Sequence, residues 1–301
     1  MSNHEIRIEI ESICRFIASE AGEASLVVGV SGGIDSDVCA RLCAQAVSAS
    51  RVKLFTVLQA DMEESHINNA YNLSEDLGVQ LVTLKLRDEP KRLVQILRDA
   101  DPVIEVDSSD LLDIGKSKNS LRTWVKSMYA EKGYIVVGTA NRTELETGFY
   151  LPFGDGVAHI QPLAHLFKTQ VKQIARTLRT RDEVIVQQPS AGYWPGENDL
   201  NDLAYWLYHE KPVSKSLHLS NDELSVVMRI NQQLSFKAID TALLMLSRGL
   251  GSSVISLESG LEVDTIQRLS LLVENAKHMK GRPLNMGLPT YRAIAKRSRG
   301  R

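Results

Sequence analysis

Apolar residues at Ile6, Ile8, Ile10, Ile13, Phe16 and Ile17 recur among charged ones near the start of the chain, a spacing that predicts an amphipathic helix. Ser25–Val30 (SLVVGV) is then continuous and β-branched, as a strand buried on both faces must be. Val38–Val47 has helical spacing, Val52–Leu58 (VKLFTVL) reads as a second strand, and Glu63–Leu77 reads as a helix with a polar face, stopped by Gly78. Val79–Leu86 predicts a third strand, Asp88–Ala100 a helix, and Tyr134–Thr139 (YIVVGT) a fourth strand, preceded by a helix ending near Lys132. Strands alternating with helices predict an α/β fold, a doubly wound and mostly parallel sheet. Ligands of such sheets bind at the carboxyl ends of the strands, where the loops SGGIDS and GTANRTE lie.

After about Gln188 the pattern changes. Leu200–His209, Asn221–Leu234 and Leu261–His278 all have helical spacing, with no clear strand between them. The chain is therefore divided at residue 190, into an α/β unit over 1–190 and an extended helical C-terminal region over 191–301.

Composition narrows the class. The 301 residues suffice to bury a sizeable core, and 43% hydrophobic with 24% charged residues is ordinary for a globular protein. A net charge of -2 offers no field for nucleic acid or an acidic membrane; the basic Lys296–Arg301 (KRSRGR) reads as a solvated tail. The three cysteines form no CxxC pair; Cys39 and Cys43 share a helix face and read as small core residues. The opening MSNHEIRIEIES lacks the apolar stretch of a signal peptide, and no apolar run is long enough to span a membrane, so the expected compartment is the cytoplasm.

The candidate chemistry begins at VVGVSGGIDS, Val27–Ser36. It supplies neither GxGxxG nor the GxxxxGK[ST] of Walker A. What remains is a strand, a Ser-Gly-Gly turn and a helix. Glycines let backbone N–H groups converge as an anion nest, and the helix dipole adds favourable potential. Ser31 and Ser36 can donate to phosphate oxygens. Asp35 would repel a bare phosphate, which calls for a divalent cation between them. A tight turn without ligand is the competing reading, and the full S-G-G-x-D-S after a buried strand favours nucleotide binding.

SGGIDS resembles the pyrophosphate loop of the N-type ATP pyrophosphatases, enzymes that cleave ATP between the α and β phosphates. Within that group, GTANRTELETGFYLPFGDGVAHIQPLAHLFKTQV (138–171) is similar to the NAD synthase signature: GT-x-N-x-x-E, then G-F/Y, GDG, a P-L/I and K-T. QQPSAGYWPGEND resembles the family's later P-S/T-A loop, and a weak echo follows at Lys277–Pro283. The resemblance implies an N-type pyrophosphatase fold. It implies that Ser31, Gly32, Gly33, Asp35 and Ser36 form the phosphate loop, and that Thr139 and Ser190 contact ATP. It pairs Glu144 with Asp35 as magnesium ligands, makes Lys168 the lysine that neutralises phosphate charge, and places Asp155 beside the reacting centre. By residue type alone, Glu144 reads as a surface helix residue and Lys168 as solvent-exposed.

On the acyl-substrate side the pattern departs. Arg122 matches the first arginine of the family's A-R-x-R-M, but Trp124 stands at the second. Pro152 falls where the family has a lysine before the GDG, Val157 replaces a glycine, and His159 an aspartate. His159 stands open between a hydrogen-bonded loop histidine, a compensating ligand contact and a mark of new specificity. The family's terminal His-Lys-Arg survives only as His278 to Arg282.

The reaction implied is ATP- and Mg²⁺-dependent amidation of a carboxylate, deamido-NAD by default, through an acyl-adenylate with release of pyrophosphate. The altered acyl side leaves another carboxylic acid, or a nucleotide-binding protein without this activity, as alternatives. RNA thiolation would call for CxxC-like cysteines or a basic face, and the sequence offers neither. No nitrilase-like glutaminase precedes the motifs, so ammonia is expected from solution or from a separate glutaminase. The resemblance also implies a homodimer.

Overall fold

The computed structural model describes residues 1–59, 62–104, 111–190, 198–213 and 219–277. In chain order the α/β part runs α1 (Asn3–Ala21), β1 (Leu26–Gly29), α2 (Ile34–Val47), β2 (Val52–Leu58), α3 (Glu64–Leu77), β3 (Leu81–Lys85), α4 (Glu89–Ala100), α5 (Leu111–Ala130) and β4 (Ile135–Val137). Three shorter helices follow, α6 (Arg142–Thr147), α7 (Lys168–Thr177) and α8 (Asp182–Val186). Then come α9 (Asp199–His209), α10 (Asn221–Gln233), α11 (Phe236–Ser247), α12 (Ser252–Ser259) and α13 (Val263–Asn275).

The sheet is four-stranded, ordered β3-β2-β1-β4, and every pairing is parallel. The expected α/β class and parallel, doubly wound sheet are both found. Alternate residues of β1 enter different cores: Leu26 and Val28 pack with α1 and α2, while Val27 joins Phe55, Val136 and Val125 of α5 on the other face. That two-sided burial is why the strand reads as an unbroken apolar run. In α1 the stripe is Ile6, Ile10, Ile13 and Ile17; Ile8 and Phe16 fall off it and are exposed. Cys39 and Cys43 are fully buried core residues.

Two differences from the sequence reading are informative. Helix α2 starts at Ile34, four residues before the apolar periodicity begins, because Gly33 serves as its N-cap and Asp35 and Asp37 occupy a first turn that favours acids. Helices α11 and α12 lie outside the three segments whose spacing predicts helices: α11 (FKAIDTALLMLS) buries Ala238, Ile239, Ala242 and Leu243 on one face, but Leu244, Met245 and Leu246 continue the apolar run and blur the contrast. The helices from α9 onward bury their own core, built on Leu207, Ile239, Leu243, Ile266 and Leu272, and Phe167 at the start of α7 belongs to it. The segment His278–Arg282 lies outside the described residues. No helix among the described residues is long and apolar enough to cross a membrane.

An ionic network fastens α2, which carries the SGGIDS loop. Asp37 accepts from Arg41 Nε at 2.7 Å and from Thr180 Oγ1 at 2.6 Å. Arg41 also reaches Asp76 on α3 at 2.7 Å, and Asp76 accepts from Arg181 at 2.7 Å. Arg181, with Arg41 beside it, holds the Asp76 carboxyl below its usual range. A depressed folded-state pKa contributes stability above the unfolded pKa and loses it as pH falls through the folded one. Asp76→Asn is therefore expected to cost about 1 kcal/mol at pH 7. Urea titrations should show the gap between the two proteins closing as pH drops below the ordinary carboxylate range; a gap that persists in acid would assign the loss to packing.

Candidate functional site

The strand order puts the ends of β1 and β4 side by side. The loop after β1 turns into α2 and the loop after β4 turns into α6, so their first turns face each other at the sheet edge. A cleft enclosing about 180 Å³ opens there.

The floor is the β1–α2 loop. Gly32 takes φ +81°, and a Cβ on it would lie 2.1 Å from the His66 carbonyl oxygen, so only glycine fits. Ser36 Oγ donates to Gly33 O at 2.9 Å and accepts from Ser31 N at 3.2 Å, while Gly33 N donates to Ser31 Oγ at 3.3 Å. These bonds shape the turn. Gly33 caps α2 without a side chain, leaving the first-turn amides facing an edge suited to an anion.

Opposite stands a four-residue knot. Asn141 Nδ2 donates to Asp35 Oδ1 at 3.0 Å and to Glu144 Oε1 at 2.7 Å. Lys168 Nζ reaches Asp35 Oδ2 at 2.5 Å and Glu144 Oε1 at 3.4 Å. Asn141 also begins α6 with a capping box, its Oδ1 accepting from Glu144 N and its own N donating to Glu144 Oε2, both at 3.1 Å. Lys168 is 3% exposed, against the expectation of a solvated lysine, because the first turn of α7 is buried under α11. Burial pushes the Glu144 carboxyl up to about 8 against the pull of Lys168, and the neighbouring Asp35 pushes the same way. Lys168 keeps its proton: burial opposes the charge, but Asp35, Glu144 and Asp199 together raise its pKa.

Lys168 is held from behind. Thr143 Oγ1 accepts from Lys168 N at 3.0 Å and donates to Asp240 Oδ1 at 2.6 Å, and Thr169 N donates to Asp240 Oδ2 at 2.9 Å. Asp240, on α11, thus caps the start of α7.

The residues fit a nucleotide and a hard divalent cation. Thr56 lines the cleft, and its buried Oγ1 has no hydrogen-bond partner among the described residues. With Glu144 raised to about 8, Asp35 and Lys168 balance one another; ionising Glu144 as well leaves one negative charge in excess, which further positive charge nearby would offset. Mg²⁺ takes one or two carboxylates and fills its shell with phosphate oxygens and water, which this pair allows. Among the described residues no group of three or more His, Cys, Asp or Glu forms a self-sufficient metal cage.

Of the residues singled out from sequence, Ser31, Gly33, Asp35, Ser36, Thr139, Glu144, Asp155, Lys168, Ser190 and Arg122 line the cleft, while Gly32 packs against the His66 backbone. Asp155 is fixed by Leu151 N at 2.7 Å, and burial raises its carboxyl while that amide and Lys126 oppose the rise. Trp124 and His159 do not reach the cleft. Trp124 is 52% exposed on the outer side of α5. Val136 N donates to His159 Nδ1 at 2.9 Å, which makes His159 a hydrogen-bonded loop histidine on β4. The motifs assign no role to Asn141, Lys126, Thr56, Asp199 or Asp240, although Asn141 is the N of GT-x-N-x-x-E and Asp199 closes QQPSAGYWPGEND. Asn141 also carries a local signal, the N-x-x-E of a capping box.

A family model described as NAD synthase matches residues 9–225. The chain is 26% identical over 263 residues to the NH(3)-dependent NAD(+) synthetase of Methanococcoides burtonii, spanning 87% of each chain. It is 26% identical over 283 residues to the like-named protein of Methanocaldococcus jannaschii, spanning 94% of this chain and 96% of that one. Among solved structures it is similar to NMN synthetase from Francisella tularensis (TM-score 0.68, 20% identity, 95% of this chain and 99% of that one). It is also similar to NH3-dependent NAD synthetase from Campylobacter jejuni (TM-score 0.65, 18% identity, 94% and 99%). At these identities the two structures speak for the fold.

The knot makes a clean prediction. Asn141→Ala removes a helix cap and the amide shared by two buried acids, so unfolding stability should fall by about 2 kcal/mol. Chemical denaturation reads this directly; a loss below a few tenths would mean the cap and the shared amide are dispensable.

Proposed function

The chain belongs to the NAD synthase family, and from that premise we propose that its cleft forms an amide from a carboxylic acid, ATP and ammonia. Deamido-NAD is the default acid, since the relatives are named for NAD(+) synthesis with ammonia. The observation that carries the reading is the convergence of Asp35, Glu144 and Lys168 beside a glycine nest at the β1–β4 edge.

The substrate carboxylate attacks the α-phosphorus of ATP, the bond to the bridging oxygen breaks, and pyrophosphate leaves. The first-turn amides of α2, Ser31 and Ser36 hold the departing diphosphate, and Lys168 offsets its growing charge. Thr139 and Ser190 contact the nucleotide, a role supported by their place in the cleft lining. Asp35 and Glu144 would hold Mg²⁺, which when bound neutralises the triphosphate. Ammonia then attacks the acyl carbon and AMP departs. Asp155, in a protein-enclosed carboxyl site across the cleft, orients ammonium and takes its proton. In this reading residues 1–190 carry the chemistry, and 191–301 form the region whose Asp240 steadies Lys168. The protein works in the cytoplasm as a homodimer, with ammonia from solution or a separate glutaminase.

Amidation of a different carboxylic acid is the second reading. It is favoured by Trp124, Pro152 and His159, which stand where the family pattern has arginine, lysine and aspartate.

Purified protein with ATP, Mg²⁺, ammonium and deamido-NAD should release pyrophosphate and form NAD. Asp35→Asn should lower that rate at least about a hundredfold. Full turnover by this variant would remove the metal assignment, and pyrophosphate release only with another acid would select the second reading.

A further inference from the structure

Two cations stand on the acyl side of the cleft, one helical turn apart. Arg122 and Lys126 are four residues apart on α5, so they share a face, and both line the cavity. Lys126 is 8% exposed, rare for a lysine without an ion pair. Its Nζ donates to Val157 O at 3.2 Å and Gly154 O at 3.5 Å, which satisfies hydrogen-bonding capacity but brings no negative charge. Arg122 makes no hydrogen bond or ion pair among the described residues.

The other titratable groups felt by this pair are Asp155, which favours the Lys126 ammonium, and His66, close to Arg122. Burial brings Lys126 down to about 8, with Arg122 repelling and Asp155 opposing the shift. Two cations therefore face one acid, and burial raises that acid too. Such a wall is costly when nothing compensates it and complementary to an anion brought by a ligand.

We propose that Lys126 is a specificity-determining residue of the acyl site, where with Arg122 it seats an anionic group of the acid to be amidated. The inference rests on the amide-forming reading above. It also accounts for Pro152, which stands where the family pattern has a lysine: Lys126 reaches the carbonyls of the same 154–157 turn from α5 instead. Sequence spacing alone hides this, because Lys126 is distant in the chain from the turn it serves.

The test is steady-state kinetics of wild type, Lys126→Met and Lys126→Arg, with deamido-NAD and ATP varied in turn. Losing a buried charge-assisted contact should raise KM for deamido-NAD about tenfold or more in Lys126→Met. KM for ATP should stay within about twofold, and Lys126→Arg should recover most of the loss. Lys126→Gln, which keeps donors for the two carbonyls and drops the charge, answers the same question if the methionine variant does not fold. Nicotinate as a competitor locates the contact: a Ki unchanged by Lys126→Met places it on a phosphate, and a raised Ki places it on the carboxylate. Unchanged KM for deamido-NAD, or equal rises for both substrates with a lower Tm, would reduce Lys126 to a prop for the turn. Wild-type protein that shows no deamido-NAD-dependent pyrophosphate release would instead defeat the amide-forming reading for that acid.

Discussion

The adjacency of β1 and β4 is the constraint on which the cleft depends. Parallel strands end at the same edge, and placing the fourth strand beside the first brings two loops together that are more than a hundred residues apart in the chain. One loop contributes glycine-borne amides and Asp35, the other Asn141 and Glu144. Neither makes a site alone: an amide nest draws anions, and a buried acid repels them. Together they need a cation between them, and Lys168 already reaches both carboxylates. The sheet's hydrogen-bond register thus sets the electrostatics of the site.

Holding that arrangement is expensive, and the rest of the structure reflects the cost. Three ionisable side chains are gathered in a poorly solvated place, so each needs fixed partners. Asn141 lends one amide to two acids. Thr143 ties the Lys168 backbone to Asp240, which lies on a helix of the C-terminal set. The Asp37–Arg41–Asp76–Arg181 chain fastens α2 from its outer side, away from the cleft. These contacts link the α/β layer to the later helices through charge as well as through Phe167 in their common core.

Much of this was legible in the sequence, and the physical reason is locality. Continuous β-branched runs such as VKLFTVL are buried on both faces and announce themselves; its bounds, Val52–Leu58, are those found. SGGIDS is legible because a turn that admits only glycine at Gly32 must be written as glycine. What escaped was non-local or ambiguous in period. The K-T of the motif marks Lys168, but its burial under α11 could not be read from residue type. Asp240 and Lys126 sit within helices and gain meaning only from what the fold brings opposite. Helix α11 hides because half-buried Leu244, Met245 and Leu246 extend its apolar run beyond the buried face of Ala238, Ile239, Ala242 and Leu243. His159, open in the sequence between a loop hydrogen bond, a ligand contact and new specificity, accepts at Nδ1 from the backbone N–H of Val136.

The two sides of the cleft obey different rules. On the side proposed to hold phosphate, a ligand fixed in shape and charge would leave the amides, acids and lysine little freedom, and the family pattern persists there through Thr139, Glu144 and Lys168. On the acyl side a charge has only to arrive at a given point. A long side chain on α5 serves as well as one in the 150s turn, provided its hydrophobic stem can be buried along the way. Lys126 meets that condition: its stem packs into the wall while its Nζ emerges among the carbonyls of Gly154 and Val157. Sequence motifs record where a group is attached, whereas a binding site responds to where its charge ends up, so a motif can be lost at Pro152 without the cation being lost from the cleft.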